Sequence, residues 1–418
     1  MNDALTWSAS AQADLAAQHR AETARRQQRT RRQALRLFLL RALAPLSRST
    51  TPAPARAPAS TPDRILLIRP DHLGDLLFTT PALQHLRQAW PHAQISALVG
   101  PWGQAILAGH PALDDLLTLP FPGFTREPAA NPLAPYQLLV TEAARLRPRH
   151  FDLALILRFD HWWGAWLAQR AAIPRRIGFA IPECMPFLTT AVPYVPQQHE
   201  VLQNLTLAAA AVGQPCTTAA PLYFRVPDAA AAWAAAWLQQ HGIDTRRLAA
   251  LQPGSGAEVK LWRVEAWAAL ATALQEKGLA LLLIGGAGET PLARAINERL
   301  AQPIPSLVGD TSLEQTAALL QRCALVIGLD SGPMHLAAAV GAPTIHLYGP
   351  VDAARFGPWA DPASPTPHRV LTSDWPCAPC NRLDFSQAEL PLHPCVRAIS
   401  VEQVLAALPA GLAAGQPG

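Results

Sequence analysis

The chain has 418 residues, half of them hydrophobic and 15% charged, so it is long enough for two domains with large cores. Its net charge of +4 is unevenly distributed, because residues 1–50 contain nine Arg and only three acidic residues. The remaining residues together carry a net charge near −2. This distribution excludes nucleic-acid binding by the body of the chain. The six cysteines are too few for a disulfide scaffold and favour a reducing cytoplasm.

The sequence predicts a basic N-terminal arm over residues 1–47, followed by a Pro-rich linker over residues 48–62. The apolar segment at residues 37–46 is too short for a membrane span and is interrupted by Arg41. A signal peptide is disfavoured, because the charged leader is long and no convincing cleavage site follows. We expect an interfacial helix on an anionic membrane, with a solvated or disordered arm as the alternative.

A first domain is predicted over residues 63–225, because short apolar runs alternate with helical patterns. The predicted strands are Arg64–Arg69, Gln94–Val99, Asp115–Leu119 and Leu153–Leu157, with a helix at Leu76–Ala89 after the first strand. This alternation predicts a doubly wound parallel sheet. A Pro-rich stretch at residues 120–135 is interpreted as a lid or an insertion.

The same alternation restarts in a second domain, residues 226–400, before a C-terminal helix and tail at residues 401–418. Its predicted strands are Leu248–Gln252, Ala280–Ile284, Leu325–Leu329 and Thr344–Tyr348. Its predicted helices are Ala230–His241, Trp262–Lys277, Leu292–Ala301, Leu313–Arg322 and Met334–Val340. We therefore expect an α/β protein of two Rossmann-like domains facing each other across a cleft.

Asp75 closes the motif Asp71-His72-Leu73-Gly74-Asp75, between the first strand and its helix. A carboxylate at a helix start is stabilised in its ionised form by the helix dipole, and there it can accept a proton from a hydroxyl. The alternative is that Asp75 only caps its helix.

A glycine-rich loop follows the strand Leu248–Gln252 and carries Ser255 and Lys260. Its backbone N–H groups can surround phosphate oxygens, and the two side chains can complete that cradle. The P-loop spacing is absent, which disfavours ATP hydrolysis. A plain flexible loop is the alternative. Glu289, after a second glycine-rich turn, could reach a ribose or base or simply cap the next helix.

The turn Asp330 to His335 lies where a buried strand ends and a helix begins, the edge at which open α/β sheets bind ligands. Gly332 permits close approach of the backbone, and the helix N-terminus favours an anion. Asp330, Ser331 and His335 add an acceptor, a hydroxyl and an imidazole. An N-capping Asp or Ser with a core-facing His is the alternative.

Three cysteines and a histidine cluster near the C-terminus: Cys377, Cys380, Cys395 and His393. A Cys-x-x-Cys pair with a distant Cys and His could hold zinc or iron. Structural thiols are the preferred interpretation, so no metal site and no cofactor is predicted.

Four sequence blocks together resemble the lipopolysaccharide heptosyltransferases, glycosyltransferase family 9, which have the GT-B fold. The blocks are Ile68–Asp75 with Thr79–Leu83; Gln252–Ser255 with Lys260–Trp262; Leu283–Gly286; and Gly328–Ala337 with Leu347–Pro350. The resemblance spans about residues 64–400 and implies an inverting transfer of heptose from ADP-heptose to a lipopolysaccharide inner-core acceptor. It makes residues 63–225 the acceptor-side domain and residues 226–400 the nucleotide-sugar domain.

By motif position, Asp75 resembles the catalytic base. The donor-binding residues implied by the resemblance are Ser255, Lys260, Glu289, Asp330, Ser331, Gly332 and His335. No Asp-x-Asp pair suited to bridging a metal and a diphosphate appears, so we expect Lys260 and helix N-termini to stabilise the leaving group without a metal.

The expected partners are ADP-heptose, a lipid-linked core oligosaccharide and an anionic membrane surface, without nucleic acid. The expected location is the cytoplasmic face of the bacterial inner membrane. Two alternatives are a protein O-heptosyltransferase of the same fold and a non-catalytic protein that binds a sugar nucleotide or lipid.

Overall fold

The computed structural model describes residues 61–125, 131–216, 220–360 and 366–413, together with residues 13, 17, 37, 40 and 41 of the arm. Most of the predicted basic arm, nearly all of the predicted linker and the end of the C-terminal tail lie outside the described residues. So do residues 126–130 of the Pro-rich stretch.

The chain divides between Arg225 and Val226 into two compact units, called here the N-terminal unit and the C-terminal unit. The N-terminal unit holds six parallel strands in the order β3-β2-β1-β4-β5-β6. These are β1 (Arg64–Arg69), β2 (Gln94–Val99), β3 (Asp115–Thr118), β4 (Leu153–Ile156), β5 (Arg175–Phe179) and β6 (Thr190–Val192). Its α-helices are α1 (Leu73–Leu77), α2 (Thr80–Ala89), α3 (Gln104–Leu107), α4 (Ala134–Leu146), α5 (Trp162–Arg170) and α6 (Glu200–Val212).

The C-terminal unit holds five parallel strands in the order β11-β10-β9-β7-β8. These are β7 (Leu248–Gln252), β8 (Ala280–Leu283), β9 (Leu325–Leu329), β10 (Thr344–Tyr348) and β11 (His368–Thr372). Its α-helices are α7 (Asp228–Gln240), α8 (Val264–Glu276), α9 (Thr290–Asn297), α10 (Leu313–Leu320), α11 (Gly332–Ala339), α12 (Ala353–Phe356), α13 (Val401–Ala406) and α14 (Ala410–Ala413). The prediction of two parallel α/β domains is confirmed.

The central strands form because their apolar runs are buried on both faces, as helix-covered parallel sheets require. In β1, every residue after Arg64 is buried. In the C-terminal unit the core is built around Trp267, which is fully buried on α8. Val404 and Leu412, on the two last helices, pack in the same core.

The single helix predicted at Leu76–Ala89 is wrong, because the structure has two helices that separate at Phe78 and Thr79. Pro81 has no N–H to continue the helix. The hydroxyls of Thr79 and Thr80 donate instead to the carbonyls of Leu76 and Leu77, at 2.6 and 2.7 Å. This break ends α1 after five residues, of which Asp75 is the third.

Leu37 and Leu40 of the arm are buried, and Leu40 belongs to the core cluster of the N-terminal unit. Arg41 beside it is exposed. Within the described part of the chain, no helix is both long enough and apolar enough to cross a bilayer.

Candidate active site

A buried guanidinium organises the end of β1. The side chain of Arg69 is 4% exposed, and its Nε lies 2.6 Å from Asp71 Oδ2. Its Nη2 lies 2.9 Å from Glu200 Oε1 and 3.3 Å from Asp75 Oδ1. Its Nη1 donates to the Leu157 carbonyl at 3.0 Å. Arg69 therefore holds three carboxylates from two parts of the chain around one charge.

Carboxylates outnumber cations in this cluster. Arg158 is the second cation, and it pairs with the far side of Asp71. Burial alone would raise the pKa of Asp71, but Arg69 and Arg158 outweigh it and lower that pKa. Burial together with repulsion from Asp71 and Glu200 raises the pKa of Asp75 to about 7, although Arg69 opposes the rise.

Asp75 is also the carboxylate that a ligand can reach. It sits in the first turn of α1, whose N-cap residue is His72, and its carboxylate contacts Arg69 instead of capping the helix. Packed groups around the carboxylate of Asp75 desolvate it, yet 35% of its side chain is exposed, whereas that of Asp71 is 4% exposed. A reachable carboxylate with a pKa near neutrality can exchange a proton with a bound hydroxyl.

Three of the sequence-predicted donor residues, Lys260, His335 and Ser255, meet at Asp330. Lys260 Nζ lies 2.7 Å from Asp330 Oδ2, and His335 Nε2 lies 3.8 Å from Asp330 Oδ1. Burial would raise the pKa of Asp330, but the contacts with His335 and Lys260 lower it to about 2. Asp330 is therefore a fixed negative charge beside the end of β9.

The same turn is tied to the glycine-rich loop. The Ser255 hydroxyl donates to the Asp330 carbonyl at 3.2 Å, and Lys260 Nζ approaches the same oxygen at 3.5 Å. Ser331 is the N-cap residue of α11, yet its hydroxyl donates to Gln252 Oε1 at 2.7 Å instead of capping the helix. Gly332 is the first residue of α11 and carries a backbone N–H at the helix start, whereas Pro333 has none and the N–H groups of Met334 and His335 donate to the Ser331 carbonyl.

Glu289 occupies space that two glycines leave open. A Cβ at Gly254 would lie 1.6 Å from Glu289 Oε1, and a Cβ at Gly285 would lie 2.1 Å from Oε2. The Gly286 N–H donates to Glu289 Oε2 at 2.8 Å. Partial burial raises the pKa of Glu289, against the effect of that hydrogen bond. The structure thus places Glu289 beside the Ser255 loop.

The C-terminal cysteines remain thiols in a packed environment. Cys377 and Cys395 are buried and Cys380 is half-buried, while His393 packs on Phe385 with ring centroids 3.7 Å apart. Burial raises the pKa of Cys395 to about 12, and the neighbouring Cys380 and Cys377 add to the rise. Among the described residues, no three His, Cys, Asp or Glu side chains are arranged to hold a metal ion.

The sequence analysis did not assign Arg69, Glu200 or Arg158 to the site, nor Gln252 in the C-terminal unit. Arg69 and Glu200 are 131 positions apart in sequence, so nothing local pairs them. Arg69 carried one usable signal: a charged residue at the end of an otherwise apolar strand calls for a buried partner.

Comparison with known proteins points to one family. The family model of glycosyltransferase family 9 (heptosyltransferase) matches residues 142–383. Lipooligosaccharide heptosyltransferase 2 of Haemophilus ducreyi is 28% identical over 308 residues, which cover 71% of this chain and 86% of the relative. Lipopolysaccharide heptosyltransferase 3 of Escherichia coli is 26% identical over 298 residues, 69% of this chain and 83% of the relative.

Solved structures agree on the fold. A family 9 glycosyltransferase from Veillonella parvula superposes with a TM-score of 0.69 at 23% identity, covering 82% of this chain and 96% of the other. E. coli ADP-heptose LPS heptosyltransferase II gives a TM-score of 0.65 at 21% identity, covering 84% of this chain and 98% of the other. With two parallel α/β units and the family match over more than half of its length, the chain belongs to glycosyltransferase family 9 and is a glycosyltransferase of the GT-B fold.

Proposed function

We propose that the chain transfers heptose from ADP-heptose to an inner-core acceptor of lipopolysaccharide, with inversion at the anomeric carbon. The observation that carries the proposal is the placement of Asp75, a reachable carboxylate whose pKa is raised to about 7 beside Arg69. The family match and the heptosyltransferase names of the relatives support the sugar and the acceptor class.

In the proposed reaction, the acceptor hydroxyl oxygen attacks the anomeric carbon of the donor while the bond from that carbon to the diphosphate breaks. Asp75 takes the proton that the hydroxyl loses. Near pH 7 a group with a pKa of about 7 is partly ionised, so it can accept this proton and still release it to water after turnover.

The departing ADP carries the electrons of the broken bond, and its charge needs a cation. Lys260 and the positive end of the α11 dipole, where Gly332 carries the first N–H, supply positive charge from adjacent elements. Ser255 adds a hydroxyl, and Glu289 is assigned to the ribose or base. Asp330 orients Lys260 and His335, and Ser331 fixes the turn through Gln252. With these groups, the proposed leaving-group stabilisation uses no metal ion.

Two further partners, an anionic membrane surface and a lipid-linked acceptor, are inferred from the sequence. We propose that the Arg-rich arm attracts the chain to an anionic membrane surface on the cytoplasmic side, where a lipid-linked acceptor is presented. A protein acceptor is less well supported, because the curated relatives named above are all lipopolysaccharide or lipooligosaccharide heptosyltransferases.

The direct test incubates the full chain with ADP-heptose and a panel of deacylated core oligosaccharides, and follows ADP release. We expect release that requires both substrates, and a product one heptose heavier by mass spectrometry. Turnover only with another nucleotide sugar would overturn the donor assignment. Transfer to a polypeptide but to no oligosaccharide would overturn the acceptor assignment in favour of a protein O-heptosyltransferase.

A further inference from the structure

Helix α4 carries an apolar stripe on the surface of the N-terminal unit. Eight large hydrophobic side chains are exposed among the described residues, and three of them fall in this one short span: Leu133 at 60%, Tyr136 at 45% and Val140 at 52%. Leu133 is the N-cap residue of α4, and spacings of three and four residues place all three on one face of the helix. Single exposed hydrophobic residues are ordinary, whereas a contiguous group marks an interaction surface.

This α4 stripe is distinct from the face by which the helix packs on its own unit. That inner face consists of Leu139, Ala143 and Leu146, which are buried in the core cluster of the unit. The start of α4 is fixed against α5 by a hydrogen bond from Trp163 Nε1 to the Pro135 carbonyl at 3.1 Å. Helix α4 therefore has two apolar faces, one covered by the unit and one open to solvent.

Aromatic rings lie beside the α4 stripe. The ring centroids of Tyr136 and Trp166 are 6.0 Å apart, and those of Trp166 and Trp162 are 6.3 Å apart. Tyr136 is exposed and Trp162 is partly exposed. Tyr and Trp are enriched where hydrocarbon meets water, because each ring has an apolar body and one polar group.

The C-terminal end of α4 is basic. Arg145 and Arg147 are exposed, and Arg147 Nε donates to the carbonyl of Arg170, the last residue of α5, at 3.0 Å. Glu142 is the one acidic residue of α4, and its side chain is only 12% exposed and lies 3.0 Å from Arg145. The exposed charge beside the stripe is therefore positive, which complements the phosphates of anionic lipid headgroups.

The N-terminal arm joins the protein at the same core. Leu40 belongs to the core cluster that contains the inner face of α4, and Arg41 beside it is exposed. The cations of the arm are thus attached to the unit that carries the α4 stripe. Apolar and aromatic residues on one face, with cations at its border, are typical of a helix that lies in the surface of a membrane.

We propose that the α4 stripe is a membrane-contact surface for an anionic phospholipid bilayer. Leu133, Tyr136 and Val140 would enter the boundary between lipid and water, while Arg145 and Arg147 contact the headgroups. This inference rests on the proposed function, in which an anionic membrane presents the acceptor, and it adds an apolar contact that the arginines of the arm do not supply. The positive charge disfavours a second copy of the chain as the occupant, because a symmetric contact would bring like charges together.

The test measures the partition of the full chain onto vesicles of phosphatidylethanolamine mixed with phosphatidylglycerol, by co-sedimentation. Leu133→Ser with Val140→Ser should lower the partition coefficient about five- to tenfold, because two apolar side chains no longer leave water. That factor should be the same at low and at high phosphatidylglycerol content, since the lost contact carries no charge. Arg145→Gln with Arg147→Gln should instead reduce binding most at high phosphatidylglycerol content.

The matched control is Leu202→Ser with Val195→Ser. Both residues are exposed, Leu202 lies on α6, and the Val195 carbonyl accepts a hydrogen bond from Gln203 of the same helix. This variant should bind vesicles as the wild-type chain does. Thermal melting checks that both double variants fold, and the single change Tyr136→Ser gives an independent measurement on the stripe.

Vesicle binding needs no turnover, which separates this inference from the proposed function. Both Ser double variants should release ADP at the wild-type rate with a deacylated, soluble acceptor. Binding through the α4 stripe by a chain that transfers no heptose would reject the proposed function and retain the contact surface. The inference is overturned if the wild-type chain does not bind the vesicles, if the α4 variant binds as tightly as the wild type, or if the control loses as much. It is also overturned if the chain is a dimer that the α4 variant dissociates.

Discussion

Asp75 and Asp330 occupy equivalent places in the two units, each shortly after a buried parallel strand and near the start of the next helix. Their pKa values nevertheless move in opposite directions, to about 7 for Asp75 and to about 2 for Asp330. Burial favours the neutral acid in both. The difference comes from the neighbours, since Asp330 has His335 and Lys260 as partners, whereas Asp75 shares Arg69 with two other carboxylates.

The same strand-turn-helix position can therefore supply two different groups. A carboxylate in a cluster that contains more carboxylates than cations has a raised pKa and can act as a base near pH 7. A carboxylate matched by a cation stays charged and serves to hold that cation in place. Variants that alter one partner at a time test this difference.

The largest effect is expected from Asp75→Asn, which keeps the shape and removes the base. Turnover should fall about 10²- to 10⁴-fold, the usual contribution of a general base, with little change in KM for the donor. ADP release measures it. Asp228→Asn, an exposed first-turn aspartate of α7, is the control. An Asp75→Asn enzyme within a few fold of wild type would show that another group takes the proton.

Lys260→Met should lower kcat/KM about 10²- to 10³-fold, because the departing diphosphate loses a cation. The chain contains just one other lysine, Lys277, whose Nζ donates to the Ala413 carbonyl, so Lys277→Met is a matched control. The double variant Lys260→Met with Asp330→Asn removes the unpaired carboxylate that the single change leaves behind. Recovery of activity in the double variant would mean that the loss came from that carboxylate and not from leaving-group chemistry.

Gly254→Ala should raise KM for ADP-heptose roughly tenfold, because the new Cβ would displace Glu289 and remove a charged hydrogen bond. Gly256→Ala in the same loop is the control, since a Cβ there meets no atom within 4 Å. Initial rates against donor concentration separate KM from kcat. An equal rise in both variants would assign the effect to loop stiffness instead of Glu289.

The smallest expected effect is a displaced pH profile. In the wild-type chain, kcat/KM should rise with pH through about 7 as Asp75 loses its proton. Glu200→Gln removes a negative charge that raises the pKa of Asp75, so the acidic limb should move to lower pH. Glu265→Gln, on the surface of the C-terminal unit, should leave the limb in place. Movement of the limb to higher pH in Glu200→Gln would contradict the charge argument.

The strands that sequence analysis identified are the apolar runs of the sheet interiors. It missed β5, β6 and β11, whose residues are not continuous apolar runs. In β5, Arg175 and Arg176 direct their guanidinium groups to backbone carbonyls, so charged residues are tolerated at the start of a paired strand. Strand β11 is at a sheet edge and only partly buried, which leaves no periodic signal in its residues.

The predicted site residues of the C-terminal unit are brought together because each lies just beyond the end of a strand or in its loop. The carboxyl ends of parallel strands lie at one edge of the sheet, so the position of these residues along the chain was enough to predict that they lie together. The cluster around Asp75 was not predictable in this way. Glu200 reaches Arg69 from α6, and only the packed unit shows that three carboxylates share one guanidinium.

The burial of Leu37 and Leu40 bears on how the chain would meet lipid. Leu40 already packs within the protein core, so inserting it into a bilayer would uncover apolar surface elsewhere. Attachment through the arm would then depend on attraction between its arginines and negatively charged lipid headgroups. Such binding is reversible and is released by raising the ionic strength, which would let one enzyme molecule leave the membrane and bind it again at another acceptor.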